Sequence, residues 1–466
     1  MAAGRWDGLV LGVVCSAAYL ALGQRAIHGE DAYYLITYLA QGIEHSYHLL
    51  YLHLVALAVA PLEGAGVGLF EAVRACSALG AAGAVVWFWC AARRLGGGRA
   101  EALAVATMVA VAPGVVFFAT IVEVHAVFLF FAGLASLAFA HAAARPRLVR
   151  VGLLGITTAL AALVHASGHL LAPLFALWLW ARGRTWRSHF GLAVAGLAAH
   201  GVVAALAASL LQPDRLAAPM GGQLEFLRGW IGDRVSVSHL PQTLVQEWLL
   251  PLGPAAWLCW AAVGRRGLRR ALLAFTVAWC GYLVAASVIL QQIVERGAYL
   301  LPLAFPAAWL TARSLRRSWV WGAIAVTAAL AVHEVRMHDR PMVADEFGAG
   351  IAALNERQPV FVVCRAWGER RALLRAAPRV PFVSAATLLQ HVEDQGLDAA
   401  AFSMYFDATV AGMQRAGRSV YLSDGARRLL RQTAALRAFA TAHLPARFEL
   451  EPVVRAGFRG VRLVPR

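Results

Sequence analysis

The chain has 466 residues, of which 60% are hydrophobic and 15% charged, and its formal net charge is +16; its mean hydropathy is +0.62. A soluble domain of this length needs a larger polar surface, so a soluble enzyme is excluded. The positive charge is no nucleic-acid signature: the chain has no Lys and one Asn (Asn355), a codon-bias pattern, and its arginines fall in short clusters between apolar runs.

Those clusters orient the chain, because Arg-rich loops stay cytoplasmic. They are Arg93, Arg94 and Arg99; Arg145, Arg147 and Arg150; Arg182, Arg184 and Arg187; Arg265, Arg266, Arg269 and Arg270; and Arg313, Arg316 and Arg317. A first helix over 7–23 runs outward after Arg5, and is read as an uncleaved helix rather than a signal peptide. A second helix over 69–92 returns to Arg93, so 24–68 is external. Within that loop, 47–61 is about 15 residues long, short for a span, and is read as a helix lying in the membrane interface. Further spans are expected at 100–120, 121–141, a pair between 151 and 181, and 188–210, 246–264, 271–291, 297–312 and 318–333. The predicted architecture is an all-α polytopic membrane protein of about 11 transmembrane helices. The stretch 212–245 is an external loop. Residues 334–466 change character: "PVFVV" (359–363) and "SVYLS" (419–423) alternate with amphipathic helical stretches such as 425–441, and "RFELEPV" and "GFRGVRLV" form a closing hairpin. This predicts a small external α/β domain after a membrane domain over 1–333. It carries no phosphate loop and no nucleophile motif. The six cysteines make no CxxC pair, so neither disulfides nor a zinc site is indicated.

Ionisable residues beside lipid are costly and mark function. The predicted topology gathers them at one face: Glu30 and Asp31 after the first helix, with His45, His48 and His53 in the same loop; Glu123 and His125 in "FFATIVEVHAVF"; His165 and His169 in "ALVHASGHLLAP", spaced to share a helical face; and Glu295 and Arg296 in "IVERGAYLLPLAFP". The plain alternatives are an N-cap for Asp31, interfacial histidines, and a headgroup anchor for Arg296.

Taken together, these segments resemble GT-C-fold glycosyltransferases that use a polyprenyl-phosphate sugar, akin to protein O-mannosyltransferases and lipid A aminoarabinose transferases. These carry an Asp in the first external loop just after helix 1, where this chain has "GED". "EDAYYLITYLAQGIEHSYHLLY" resembles bacterial relatives reading GDSGEL-IT, then GIAH, then PPGYPLY, with Asp31 and His45 at the Asp and His positions; the prolines are absent here and the spacing differs by one residue. "AVRACSALGAAGAVVWFWCAARRLGGG", with Arg74 near its outer end, resembles the second helix. "VEVHAVFLFFAGLASLAF" resembles the start of the fourth, where many members place a second acidic residue. "ERGAYLLPLAFPAAWL" resembles a late helix opening on Arg.

The resemblance implies a multi-pass protein of the bacterial cytoplasmic (inner) membrane, with a cytoplasmic N-terminus and a periplasmic C-terminal domain. It implies transfer of a hexosyl or pentosyl group from a polyprenyl-phosphate donor to a hydroxyl of a protein, lipid or glycan. Asp31 is then the general base, with Glu30 and Glu123 beside it. Arg296, His165, His169, His45, Arg74 and His125 line the donor and substrate side. No cofactor is firmly implied, and the carboxylates leave room for Mg or Mn. Two other classes fit less well: a flippase for lipid-linked sugars, which would place charge at the midplane in paired repeats, and a non-catalytic scaffold that keeps the fold.

Overall fold

Eight described helices open the chain. They are α1 (Trp6–Ala21), α2 (Gly29–Gln41), α3 (Tyr51–Gly64), α4 (Leu69–Arg94), α5 (Arg99–Ala110), α6 (Pro113–Thr120), α7 (Val124–Ala144) and α8 (Leu148–Val164). A 3-10 turn (Ala166–Leu170) leads to α9 (Leu171–Ala181) and α10 (Phe190–Leu211). After short helical turns between Leu240 and Gly264 come α11 (Arg269–Ile289), α12 (Ala304–Ser314) and α13 (Arg317–His338). This computed structural model describes residues 6–24, 29–41, 48–182, 189–211, 240–289, 297–338, 345–365, 367–394, 398–432, 436–455 and 457–466.

Among these residues five helices are long and apolar enough to cross a membrane: Leu69–Arg94, Val124–Ala144, Phe190–Leu211, Arg266–Ser287 and Arg317–Arg336. Trp6–Ala21, Tyr51–Gly64, Leu148–Val164, Ala166–Ala181 and Ala255–Gly264 are shorter apolar helices. Helix α10 leaves Phe190, Val202, Leu206 and Leu210 exposed, the last by 82%. Such a surface needs an apolar solvent around it.

Two expected helices are broken instead. The helix over 100–120 is a pair, α5 and α6, bent by 60°. Pro113 opens α6 at its first turn, where its missing N–H costs nothing, whereas inside one continuous helix it would remove a hydrogen bond and clash. The segment 246–264 is a string of turns. A π-helical turn spans Leu244–Leu249, Pro251 sits in the short helical turn that follows it, and the helix is then interrupted by Gly253 at φ 58° and Pro254.

The chain divides into two compact units: Met1–Gln24, Glu44–Val67 and Glu71–Asp339 in the first, and Arg25–Ile43, Gly68–Phe70 and Arg340–Arg466 in the second. In the first unit α4 and α7 approach closely. A Cβ on Gly80 would lie 3.0 Å from Ala126 O, and one on Gly133 3.0 Å from Ala84 O. Small residues at such crossings let apolar helices pack without a hydrophobic driving force. The arginine-rich helix ends are tied together: Arg99 to Asp7 at 2.6 Å, Arg313 to Glu101 at 2.7 Å, and Arg265 Nη2 to Ser314 O at 3.3 Å.

The second unit contains α14 (Asp345–Asn355), α15 (Trp367–Ala376), α16 (Ala385–Asp394), α17 (Ala399–Arg415) and α18 (Asp424–Gln432) around strands β1 (Val360–Cys364), β2 (Phe382–Ser384), β3 (Ser419–Ser423), β4 (Phe448–Arg455) and β5 (Phe458–Pro465). The sheet order is β2-β1-β3-β5-β4. β1 is parallel to β2 and β3, while β5 is antiparallel to β3 and β4. Strand β1 is buried along its whole length. Phe361 and Val363 join one core with Phe402, Phe406 and Phe439; Val360, Val362 and Cys364 join the other with Phe347, Ile351 and Leu373. The two-residue side-chain period thus feeds helices on both faces. Helix α2, from the expected external loop, belongs to this unit.

Candidate active site

The first unit brings three histidines, two tyrosines and one carboxylate together from distant segments. After the α5–α6 bend the chain extends through Ile121 and Glu123, and Glu123 (φ −163°, ψ 152°) caps α7, its Oε1 accepting from Val124 N at 2.7 Å. Ser77 Oγ, on α4, donates to Glu123 O at 3.3 Å, a contact that depends on the close glycine crossing just described. Glu123 is buried, and Tyr51 is near enough to feel its charge.

His165 ends α8 and caps the 3-10 turn. It is extended (φ −150°, ψ 135°), and its Nδ1 bonds Ser167 Oγ at 2.7 Å and Ser167 N at 3.2 Å. Its ring stacks on His48 with centroids 5.3 Å apart and meets His125 edge-on at 4.5 Å. Leu50 N donates to Leu163 O at 3.0 Å, which holds the start of α3 beside it. Tyr299 closes the cluster, 6.2 Å from the His125 ring and 5.8 Å from that of His165. Tyr299 is positioned in turn by Glu247, whose buried Oε2 accepts from Gly297 N at 2.5 Å. Gly297 sits at φ 86°, and a Cβ there would come 2.5 Å from Pro251 Cβ. Glu247 lies on the π-helical turn, a feature often found at functional sites.

Two buried polar atoms in this cluster, Tyr51 OH and His125 Nδ1, have no hydrogen-bond partner among the described residues. Each such atom costs about 1–3 kcal/mol unless something bonds it, which points to a polar ligand or water there. Two imidazolium rings 4.5 Å apart would repel strongly at low dielectric. The stack therefore works as hydrogen-bonding groups rather than as a positive cluster. Among the described residues no group of three or more His, Cys, Asp or Glu side chains could hold a metal ion.

Of the residues singled out in the sequence, His48, Glu123, His125 and His165 meet here. His169 does not share a helical face with His165, because the chain leaves α8 at His165. Its Nδ1 instead bonds His200 Nε2 at 3.0 Å, and His200 Nδ1 bonds Thr158 Oγ1 at 3.0 Å. Arg74 pairs with Glu71 at 2.5 Å and donates to Gln24 O at 3.2 Å; Gln24 Nε2 in turn donates to Thr120 Oγ1 at 2.8 Å. Glu30 and Asp31 lie on α2, but their side chains are outside the described residues, as are His45, Glu295 and Arg296 altogether. Sequence reasoning missed Tyr51, Tyr299, His200 and Glu247, and gave His48 no role beyond an interfacial histidine of the first loop. Only Glu247 carried a signal, as a carboxylate inside an apolar run.

Between the carboxyl ends of β1 and β3, the usual ligand position of an open α/β sheet, the Glu369 carboxylate accepts from Ser423 Oγ at 2.5 Å and Arg365 N at 2.7 Å. Burial, with the Glu369 charge behind it, pushes the Cys364 thiol up, which suits an inert core cysteine.

No family model matches the chain, and no curated protein matches its sequence. Solved structures do match. ArnT from Cupriavidus metallidurans bound to undecaprenyl phosphate covers 98% of each chain at 16% identity and a TM-score of 0.61. Its apo form covers 99% of this chain and 98% of its own at 17% identity, also with a TM-score of 0.61. The Archaeoglobus fulgidus oligosaccharyltransferase tethered with an acceptor peptide covers 98% of this chain and 74% of its own at 11% identity and a TM-score of 0.50. At these identities the likeness is one of architecture: the chain has an ArnT-like GT-C fold.

Proposed function

We propose that the chain is a membrane glycosyltransferase that moves a sugar from a polyprenyl-phosphate donor to an acceptor hydroxyl on the external membrane face. The observation that carries this reading is the fold likeness, over 98% of both chains, to a protein whose structure holds undecaprenyl phosphate. The carboxylates and histidines set in apolar surroundings support it. In the reaction Asp31 takes the acceptor hydroxyl proton, the freed oxygen attacks the anomeric carbon, and the bond from that carbon to the phosphate oxygen breaks. The lipid phosphate leaves with the electron pair. Arg296 stabilises its charge, with His165 donating a hydrogen bond. Glu30 tunes Asp31 and His45 contacts the substrates, and Arg74 holds the start of the first loop through Gln24. Glu123 and His125 bind polar groups of the substrates. His169, bonded to His200 through Nδ1, keeps Nε2 for the donor side. About eleven spans, a cytoplasmic N-terminus and an external domain after residue 333 complete the reading.

The test compares cell-envelope glycans and glycoproteins by mass spectrometry with and without the gene, then with variants. General-base contributions are on the order of 100- to 10,000-fold, so Asp31→Asn is expected to lower transfer by at least about 100-fold at unchanged membrane abundance, and Glu30→Gln much less. Near-normal transfer by Asp31→Asn, with Glu123→Gln inactive, would move the base elsewhere. For the donor, Arg296→Ala is expected to weaken undecaprenyl-phosphate binding and Arg296→Lys to restore it in part. A large gain of activity on adding Mg or Mn would make the carboxylates metal ligands.

A further inference from the structure

The helix that bears Asp31 is built into the second unit. Ala32, Leu35 and Ile36 of α2 are fully buried, and α2 packs on α15. The Arg370 guanidinium of α15 lies over the Tyr34 ring, 5.9 Å from its centroid, and Tyr34 stacks on Tyr38 at 6.0 Å. Helix α15 is itself anchored, because Ala372 and Leu373 sit in the sheet core with Val360 and Val362. A continuous path of packed groups therefore runs from the sheet through α15 and Arg370 to Tyr34. Asp31 stands one helical turn before Tyr34.

We propose that Arg370 is a positioning residue for transfer. By clamping the Tyr34 face it fixes α2, and so sets where the base of the reaction is held. This rests on the reading of Asp31 as the base. A cation over an aromatic face is a modest contact, but a displacement of about 1 Å in a reacting group can cost on the order of 100-fold in rate. A weak clamp can thus carry a large kinetic effect.

The test uses the full chain in detergent or membranes, with hydrogen exchange of the 32–41 amides and transfer read from envelope glycans. Arg370→Ala and Tyr34→Ala are each expected to speed exchange in α2 by roughly 2- to 5-fold and to lower transfer by about ten-fold or more, at unchanged abundance and unchanged binding of undecaprenyl phosphate. Tyr34→Phe keeps the ring face and should recover most of what Tyr34→Ala loses. Arg370→Lys keeps the cation and should recover most of the loss. The double variant should be no worse than the worse single one. Additive losses, or unchanged exchange in Arg370→Ala, would overturn the clamp. Faster exchange with normal transfer would overturn its catalytic role. Wild-type transfer by Asp31→Asn in the same assay would instead remove the base reading and leave the clamp standing.

Discussion

Glu123 has a folding task that any test of its proposed role in transfer must separate out. Its carboxylate caps α7 through Val124 N, so an acceptor oxygen is needed there whatever else it does. Glu123→Gln keeps that oxygen and should unfold at the wild-type temperature in detergent, whereas Glu123→Ala should lose about 1 kcal/mol of stability. A fall in transfer in both variants would then report the charge rather than the cap. Glu247 poses a parallel case, since its partner is the buried Gly297 N–H. Glu247→Ala leaves that donor unsatisfied and should cost about 1–3 kcal/mol, while Glu247→Gln should keep most of it; thermal unfolding distinguishes the two. Residues of this kind were partly legible in the sequence. An ionisable group in an apolar run stands out, which is why His48, Glu123, His125 and His165 could be named; the Asp31 side chain lies outside the described residues. Tyr51 and Tyr299 could not, because their place comes from rings meeting across segments that the sequence does not show to be neighbours.

Hydropathy located most of the helices within a few residues, since a span of about 20 apolar residues is a strong signal. It failed where proline and glycine set the backbone. The α5–α6 bend lies at Pro113 and yields the extended stretch on which Glu123 can cap α7. The turn at Gly297 depends equally on glycine, at φ 86° with Pro251 Cβ only 2.5 Å from a would-be Cβ. Gly297→Ala should therefore combine backbone strain of about 1–2 kcal/mol with overpacking of about 1–3 kcal/mol. The expected result is a clearly lowered melting temperature and reduced membrane abundance; wild-type behaviour would show that the turn can relax. In the second unit β1, β3 and the hairpin were legible from their apolar runs. Strand β2, only Phe382–Ser384, was too short to show any period.

The distribution of charge governs the molecule as a whole. Arginine-rich helix ends are tied to one another by Arg99–Asp7, Arg313–Glu101 and Arg265–Ser314. If that end is cytoplasmic, reporter fusions after residues 97, 147, 185, 267 and 315 should read as cytoplasmic, and fusions at 30, 220 and 400 as external. A cytoplasmic signal at 30 or 400 would invert the arrangement. Architecture was legible at this scale because solvent chooses it: a chain with too little polar surface for water has to be solvated by lipid. The membership of α2 in the second unit was not legible, because hydropathy says nothing about partners far apart in the chain.

That membership has a consequence for biogenesis. Tyr34 leaves the ribosome early, and Arg370, which lies over its ring, is made only after most of the chain. At about 5–20 residues per second, α2 waits some tens of seconds for the surface it packs on. Throughout that time the helix bearing Asp31 has been synthesised but not docked, so this part of the second unit assembles only near the end of translation.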